Sequence, residues 1–159
     1  MLPLRTILVP TDFSEHSELA FRLACSLARD TGARILALHV LVPPTIVHGK
    51  GAYAPLPEEY PKQWEEKLQA LQSPTPNVTV EHLMVEGEPV HVILKTGRDS
   101  NCDLIVLGTH GRSGLKHLLM GSVAEKVVRE APCPVLSVKA KPATKVAPKT
   151  KGLKTTAMP

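Results

Sequence analysis

The chain reads as an α/β protein, a single Rossmann-like, doubly wound sheet of five mostly parallel strands with about four helices. Three observations point there. Short, nearly unbroken apolar runs recur at residues 6–9, 35–40, 104–107 and 135–138, as strands buried on both faces require. Stretches of helical periodicity stand between them. The connections are too long for hairpins, so successive strands pair in parallel through crossovers.

Taken in order, Thr6-Ile7-Leu8-Val9 is the first strand, and Pro10-Thr11-Asp12 ends it because proline cannot donate to a ladder. Ser14 is placed to cap a helix, with Glu15 and Glu18 near its positive end. That helix carries two apolar stripes, Leu19, Leu23, Leu27 and Ala20, Ala24, Ala28, and Gly32 stops it. A second strand, Ile35 to Val40, completes a βαβ unit; His39 within it reads as a hydrogen-bonded core residue. Val42 to Pro61 is a long proline-punctuated loop. A short helix follows, facing the core with Trp64, Leu68 and Leu71. After the Ser73–Asn77 turn, Val78 to Val85 alternates weakly, as an edge strand does. Pro89 opens the next helix, with Val90, Ile93, Leu94 and Gly97 on one face; Gly97 weakens it by about 1 kcal/mol relative to alanine and signals close packing. Leu104 to Leu107 is the fourth strand. Gly121-Ser122 starts the last helix, with Val123, Val127 and Val128 on one side and Pro132 beyond its end. Val135 to Val138 is the fifth strand.

At 159 residues the chain suits one domain with an aliphatic core. No apolar run nears the ~18 residues of a membrane span, and the N-terminus lacks a secretory pattern. Cys25, Cys102 and Cys133 are widely spaced, without a CxxC pair. They are expected to be packed free thiols in a reducing cytoplasm. The net charge of +4 is set by the tail: six lysines and no acid lie from Lys139 onward. The remainder holds thirteen basic and fifteen acidic residues. Nucleic acid is therefore not the expected partner, and residues 140–159 read as a disordered Lys/Pro/Thr-rich tail after a domain spanning 1–139.

The chemistry is concentrated between Asp103 and Val123. A buried strand breaks at Gly108, and glycines return at Gly111, Gly114 and Gly121 before a helix begins. Backbone N–H groups in such a loop, with the helix dipole, favour an anion, above all phosphate. Glycines after a strand also serve as simple turn residues. The spacing matches neither the Walker A loop nor the dinucleotide GxGxxG pattern. Asp12 doubles as a turn residue and Ser122 as a helix cap in the plainer reading. His110 and His117 lack a carboxylate partner in sequence reach, and Ser113-x-x-Lys116 stands without the motifs that accompany it in acyl enzymes.

The segments ILVPTDFSEHSELAFRLACSLA, LALHVL and DLIVLGTHGRSGLKHLLMGSVAEKVVREAPCPVLSVK, in this order, resemble the ATP-binding branch of the universal stress protein family from Thr6 to Lys139. The resemblance implies strand order 3-2-1-4-5, with a ligand beyond the carboxyl ends of the two central strands. It further implies Pro10, Thr11, Asp12 and Val40 around adenine and ribose, Leu107 and Gly108 bordering the ribose, and Gly111, Arg112, Gly121, Ser122 and Val123 around the phosphates. The expected ligand is ATP, or ADP or AMP, with Mg²⁺ held through phosphates. No catalytic residue or protein metal site is assigned. The resemblance also implies a homodimer through Val135–Val138. The functional expectation is a cytoplasmic nucleotide-dependent sensor or switch acting on an unidentified protein partner. The alternatives are a slow ATPase or phosphotransferase, and a nucleotide-free interaction module. Gly121→Val is expected to abolish nucleotide binding and leave the fold intact.

Overall fold

The computed structural model describes residues 4–43, 59–110 and 120–140. Five parallel strands form one sheet: β1 (Thr6–Pro10), β2 (Arg34–Leu41), β3 (Val80–Glu86), β4 (Leu104–Gly108) and β5 (Val135–Val138). Their order is β3-β2-β1-β4-β5, with β3 and β5 at the edges, as expected. The helices are α1 (Glu15–Thr31), α2 (Glu59–Gln69), α3 (Pro89–Asp99) and α4 (Ser122–Glu130). The middle helix α2 starts before Pro61, so proline sits in its first turn, where a missing N–H costs nothing.

Strand alternation divides the core into two layers. Ile7, Val9, Ile35, Ala37 and Val106 pack under α1 and α2, together with Ala20, Phe21, Ala24 and Leu68. Leu8, Leu38, Ile105 and Leu107 face the other way, against α3 and α4 through Val90, Ile93, Leu94 and Val127. The central residues Ile7, Leu8 and Val9 are fully buried, each contributing about 1.5–3 kcal/mol of hydrophobic burial.

The helix termini follow the local chemistry. The Ser14 side chain accepts from Ser17 N at the start of α1, and Gly32, at φ 74°, takes the left-handed turn that ends it. In α3 the Glu88 carboxylate accepts from His91 N, with Pro89 in the first turn. Two periodicity expectations need correction. Of the two stripes on α1, the alanines face the sheet, whereas Leu23 is 38% exposed. Phe21 and Cys25 share that buried face with the alanines, and Leu27 packs at its margin. On α4, Val127 is buried and Val123 packs against the core as expected, whereas Val128 is 45% exposed and Ala124 takes its place on the buried face.

Gly97 faces the turn into β4: a Cβ there would lie 3.4 Å from Cys102 Sγ and 3.6 Å from Pro132, in ordinary van der Waals contact, so the packing is close without demanding glycine. Cys25 and Cys102 are buried, and Cys133 is partly exposed. Burial pushes the Cys25 thiol above its ordinary range.

At the amino edge of the sheet, Asp103 fastens the start of β1 to β4. Its Oδ2 accepts from Arg5 N at 2.8 Å and Thr6 N at 2.9 Å. These two backbone donors hold its carboxyl below the usual carboxylate range. The associated stability is present above the unfolded-state pKa of about 4 and is lost as pH falls through the lowered folded value. Asp103→Ala should therefore lower stability by about 1 kcal/mol at pH 7, solvent exposure limiting the effect. The difference from the unmodified chain should shrink below pH ~4, as read from urea midpoints at both pH values.

Candidate functional site

The two central strands separate at their carboxyl ends. Between β1 and β4 the paired residues are Ile7 with Leu104 and Leu8 with Ile105. Past these, each strand follows its outer neighbour. Thr11 N donates to Leu38 O of β2 and Thr109 N to Val138 O of β5, both at 2.8 Å. A crevice opens at this point, where the connections leave for opposite faces of the sheet.

The β2 wall of the crevice follows from strand geometry. Ile35 N takes Thr79 O and Leu41 O takes Gly87 N, whereas Leu38 O takes Thr11 N. Odd-numbered residues of β2 thus bond towards β3 and even-numbered ones towards β1. By the same alternation the peptide groups of Val40 are turned to the side that β1 has left. His39 keeps β1 away: its Nδ1–H donates to Thr11 O at 2.8 Å, and the ring is 5% exposed.

Phe13 braces this corner. Its φ of 61° is an unusual value for an aromatic residue. The strain is held by Phe13 N donating to Thr11 Oγ1 at 3.1 Å and by ring contacts to His39 at 4.8 Å and Trp64 at 5.6 Å. Asp12 Oδ1 accepts from Ser14 N at 3.1 Å, so the carboxylate shapes the turn into α1 as well as facing the crevice.

Across the crevice, Gly121 N donates to Thr109 O at 2.6 Å, binding the start of α4 to the end of β4. Gly121 is the N-cap, without a side-chain cap hydrogen bond. Ser122 is therefore the first helical residue and not the cap. The N–H groups of Ser122, Val123 and Ala124 precede any intrahelical acceptor and point out of the helix end. With the helix dipole they make that wall electropositive.

The crevice holds about 320 Å³ and is lined by both walls, within the range of small-molecule sites. Of the eleven residues expected around a ligand, Pro10, Thr11, Asp12, Val40, Leu107, Gly121, Ser122 and Val123 line it. Gly108 adjoins it in β4, where a Cβ would fall 2.8 Å from the His16 backbone carbon. Its glycine character thus serves the approach of α1. Gly111, Arg112, Ser113, Lys116 and His117 lie outside the described residues, as do the loop segment 44–58 and the tail from residue 141.

Sequence reasoning missed a polar group at the crevice mouth. Thr109 Oγ1 lies 3.0 Å from His110 Nδ1 and 3.4 Å from His16 Nδ1. Ala140 N donates to His16 Nδ1 at 3.1 Å, and Ala140, assigned by sequence to the tail, is buried. His16 and Thr109 are 93 residues apart, so only the sheet topology could have joined them. Among the described residues no group of three or more His, Cys, Asp or Glu is gathered as a metal ion would need. No described helix is long and apolar enough to cross a membrane.

A doubly wound α/β domain with its crevice at the reversal of strand order is a recognised class of ligand-binding architecture. Within it, the chain belongs to the universal stress protein family, whose model matches residues 3–139. It is 34% identical over 139 residues to a universal stress protein of Methanocaldococcus jannaschii, covering 85% of this chain and 82% of that one. The structure of universal stress protein UspA from Lactobacillus plantarum is similar with a TM-score of 0.68 at 25% identity, covering 87% of this chain and 99% of that one. The Archaeoglobus fulgidus universal stress protein in complex with dAMP shares the fold, with a TM-score of 0.61 at 23% identity, covering 87% and 100% of the two chains.

The geometry revises the expectation for Gly121. A Cβ at this position would lie 3.3 Å from Thr109 O and 3.7 Å from His110 Cα, against the β4 exit. Gly121→Val should therefore pry α4 from β4, lowering stability by about 1–3 kcal/mol while it weakens ligand binding. Paired thermal melts and titration calorimetry would read both effects.

Proposed function

We propose that this universal stress protein binds ATP in the crevice between β1 and β4 and works as a nucleotide-dependent sensor or switch in a stress response. The observation that carries the reading is the parting of the central strands opposite the first N–H groups of α4, which have no intrahelical acceptor. In this reading Pro10, Thr11 and Asp12 flank the base and ribose, and Val40 offers its peptide groups to the adenine edge. Leu107 and the Gly108 backbone border the ribose. Ser122 and Val123 offer main-chain nitrogen to the phosphates, Gly121 lies beside them with its own N–H given to Thr109 O, and the family resemblance adds Gly111 and Arg112 to the phosphate contacts. The dAMP held by the Archaeoglobus relative supports the nucleotide class. Mg²⁺ would ride on phosphate oxygens, with Asp12 the carboxylate among the cavity-lining residues; such an ion needs few protein ligands.

The test is extraction of ligand from the purified full chain by heat, followed by nucleotide chromatography and titration with ATP, ADP and AMP in the presence and absence of Mg²⁺. Micromolar affinity for an adenine nucleotide, about −8 kcal/mol, is expected. No released nucleotide and no heat of binding at millimolar concentrations would overturn the proposal. A time course with labelled ATP separates a switch, which retains the nucleotide, from a turnover enzyme.

We further propose a cytoplasmic homodimer through β5. This strand is an edge of the sheet and presents Leu136 at 37% exposure, a combination that a second chain would cover. Leu136→Arg should shift the mass measured by light scattering from dimer to monomer.

A further inference from the structure

Cys102 and Cys133 are 31 residues apart in sequence, yet their sulfur atoms lie 3.3 Å apart as free thiols. Cys102 occupies the turn from α3 into β4, and Cys133 the turn from α4 into β5. The two turns lie side by side because β4 and β5 pair in parallel from Ile105 with Val135 onward. Cys102 is held in place by its N–H donating to Gly97 O at 3.1 Å. Its sulfur packs against the Gly97 backbone, a Cβ at that position falling 3.4 Å away. Cys133 is partly exposed and Cys102 is buried. One thiol therefore meets solvent while its neighbour waits behind it.

We propose that Cys102 and Cys133 form a redox modification site, closed to an intramolecular disulfide by a hydroperoxide. The Cys133 thiolate attacks one peroxide oxygen; the S–O bond forms, the O–O bond breaks, and hydroxide leaves to become water. The Cys102 sulfur then attacks the Cys133 sulfenic sulfur. The S–S bond forms, the S–O bond breaks, and the departing hydroxide takes the Cys102 proton as a second water. Hydrogen peroxide is thus reduced to two waters as two thiols become one disulfide. The order of events follows from environment: burial, with the Cys133 thiol beside it, pushes the Cys102 thiol up to about 12. Attack on peroxide requires thiolate, so the more open Cys133 reacts first.

The bond would close a loop containing all of β4, the glycine-rich segment and α4. It lies at the amino edge of the sheet, opposite the crevice, and so constrains the unit that carries the proposed phosphate site without entering it. Cys25 is buried on α1 in the other core layer and takes no part.

The experiment is titration of the reduced full chain with hydrogen peroxide, alkylation of remaining thiols and peptide mapping. A single Cys102–Cys133 cross-link with Cys25 alkylated is expected, together with a rise in Tm of the order of 10 °C that a reducing dithiol reverses. Cys102→Ala should instead retain a sulfenic acid at Cys133, captured by dimedone. The proposal fails if oxidised native chain carries Cys133 as sulfinic acid or as an intermolecular disulfide, or if both thiols remain alkylatable. Mapping of the native chain decides the matter even if the variant does not fold.

Discussion

Beyond Leu8 and Ile105 the central strands cease to be partners, and the crevice exists because of that separation. Each strand stays tied to its outer neighbour, Thr11 to Leu38 and Thr109 to Val138, so the backbone groups left facing the opening, those of Val40 among them, are the ones turned towards the crevice. His39 completes the arrangement by giving Thr11 O a side-chain donor. A peptide donor from β2 is thus not needed at that carbonyl. The carboxyl edge can stay open while the two core layers beneath it remain closed.

Much of this was legible in the residues themselves. Strands buried on both faces show as unbroken apolar runs, and Ser14, Gly32 and Pro89 marked helix ends for reasons internal to a few residues. The strand order came through the family resemblance and not through periodicity, because pairing between distant strands leaves no local trace. Other features depended on distances between elements. The leucine stripe of α1 looked as suitable for the core as the alanine stripe, and only the rotation of α1 against the sheet decides that Ala20, Phe21, Ala24 and Ala28 are buried while Leu23 is exposed. Ser122 looked like a cap, yet Gly121 occupies that position because its N–H reaches Thr109 O. The braced corner of Phe13, His39 and Trp64 joins a turn, a strand and a helix, and its positive φ has no signature in residue type.

The two edges of the sheet have different characters. At the amino edge the contacts are tight and specific: Asp103 clasps two backbone N–H groups, Gly97 packs against a thiol, and Cys102 faces Cys133. At the carboxyl edge the groups are arranged around space, with His16, His110 and Thr109 gathered at its mouth. A parallel sheet makes this division natural, because every strand enters from one side and every connection departs from the other. Stability-bearing contacts and ligand-facing groups can then vary independently, with the packed strands between them.

The alanine face of α1 has a mechanical corollary. With Ala20, Ala24 and Ala28 on the buried face and a Cβ at Gly108 falling 2.8 Å from the His16 backbone carbon, the start of the helix has little slack against the end of β4. Short, stiff contacts transmit displacement where long flexible ones would dissipate it. Any force that lifts the beginning of this helix is felt at the end of β4 and so at one lip of the crevice, which makes α1 a lever with its fulcrum at Gly108.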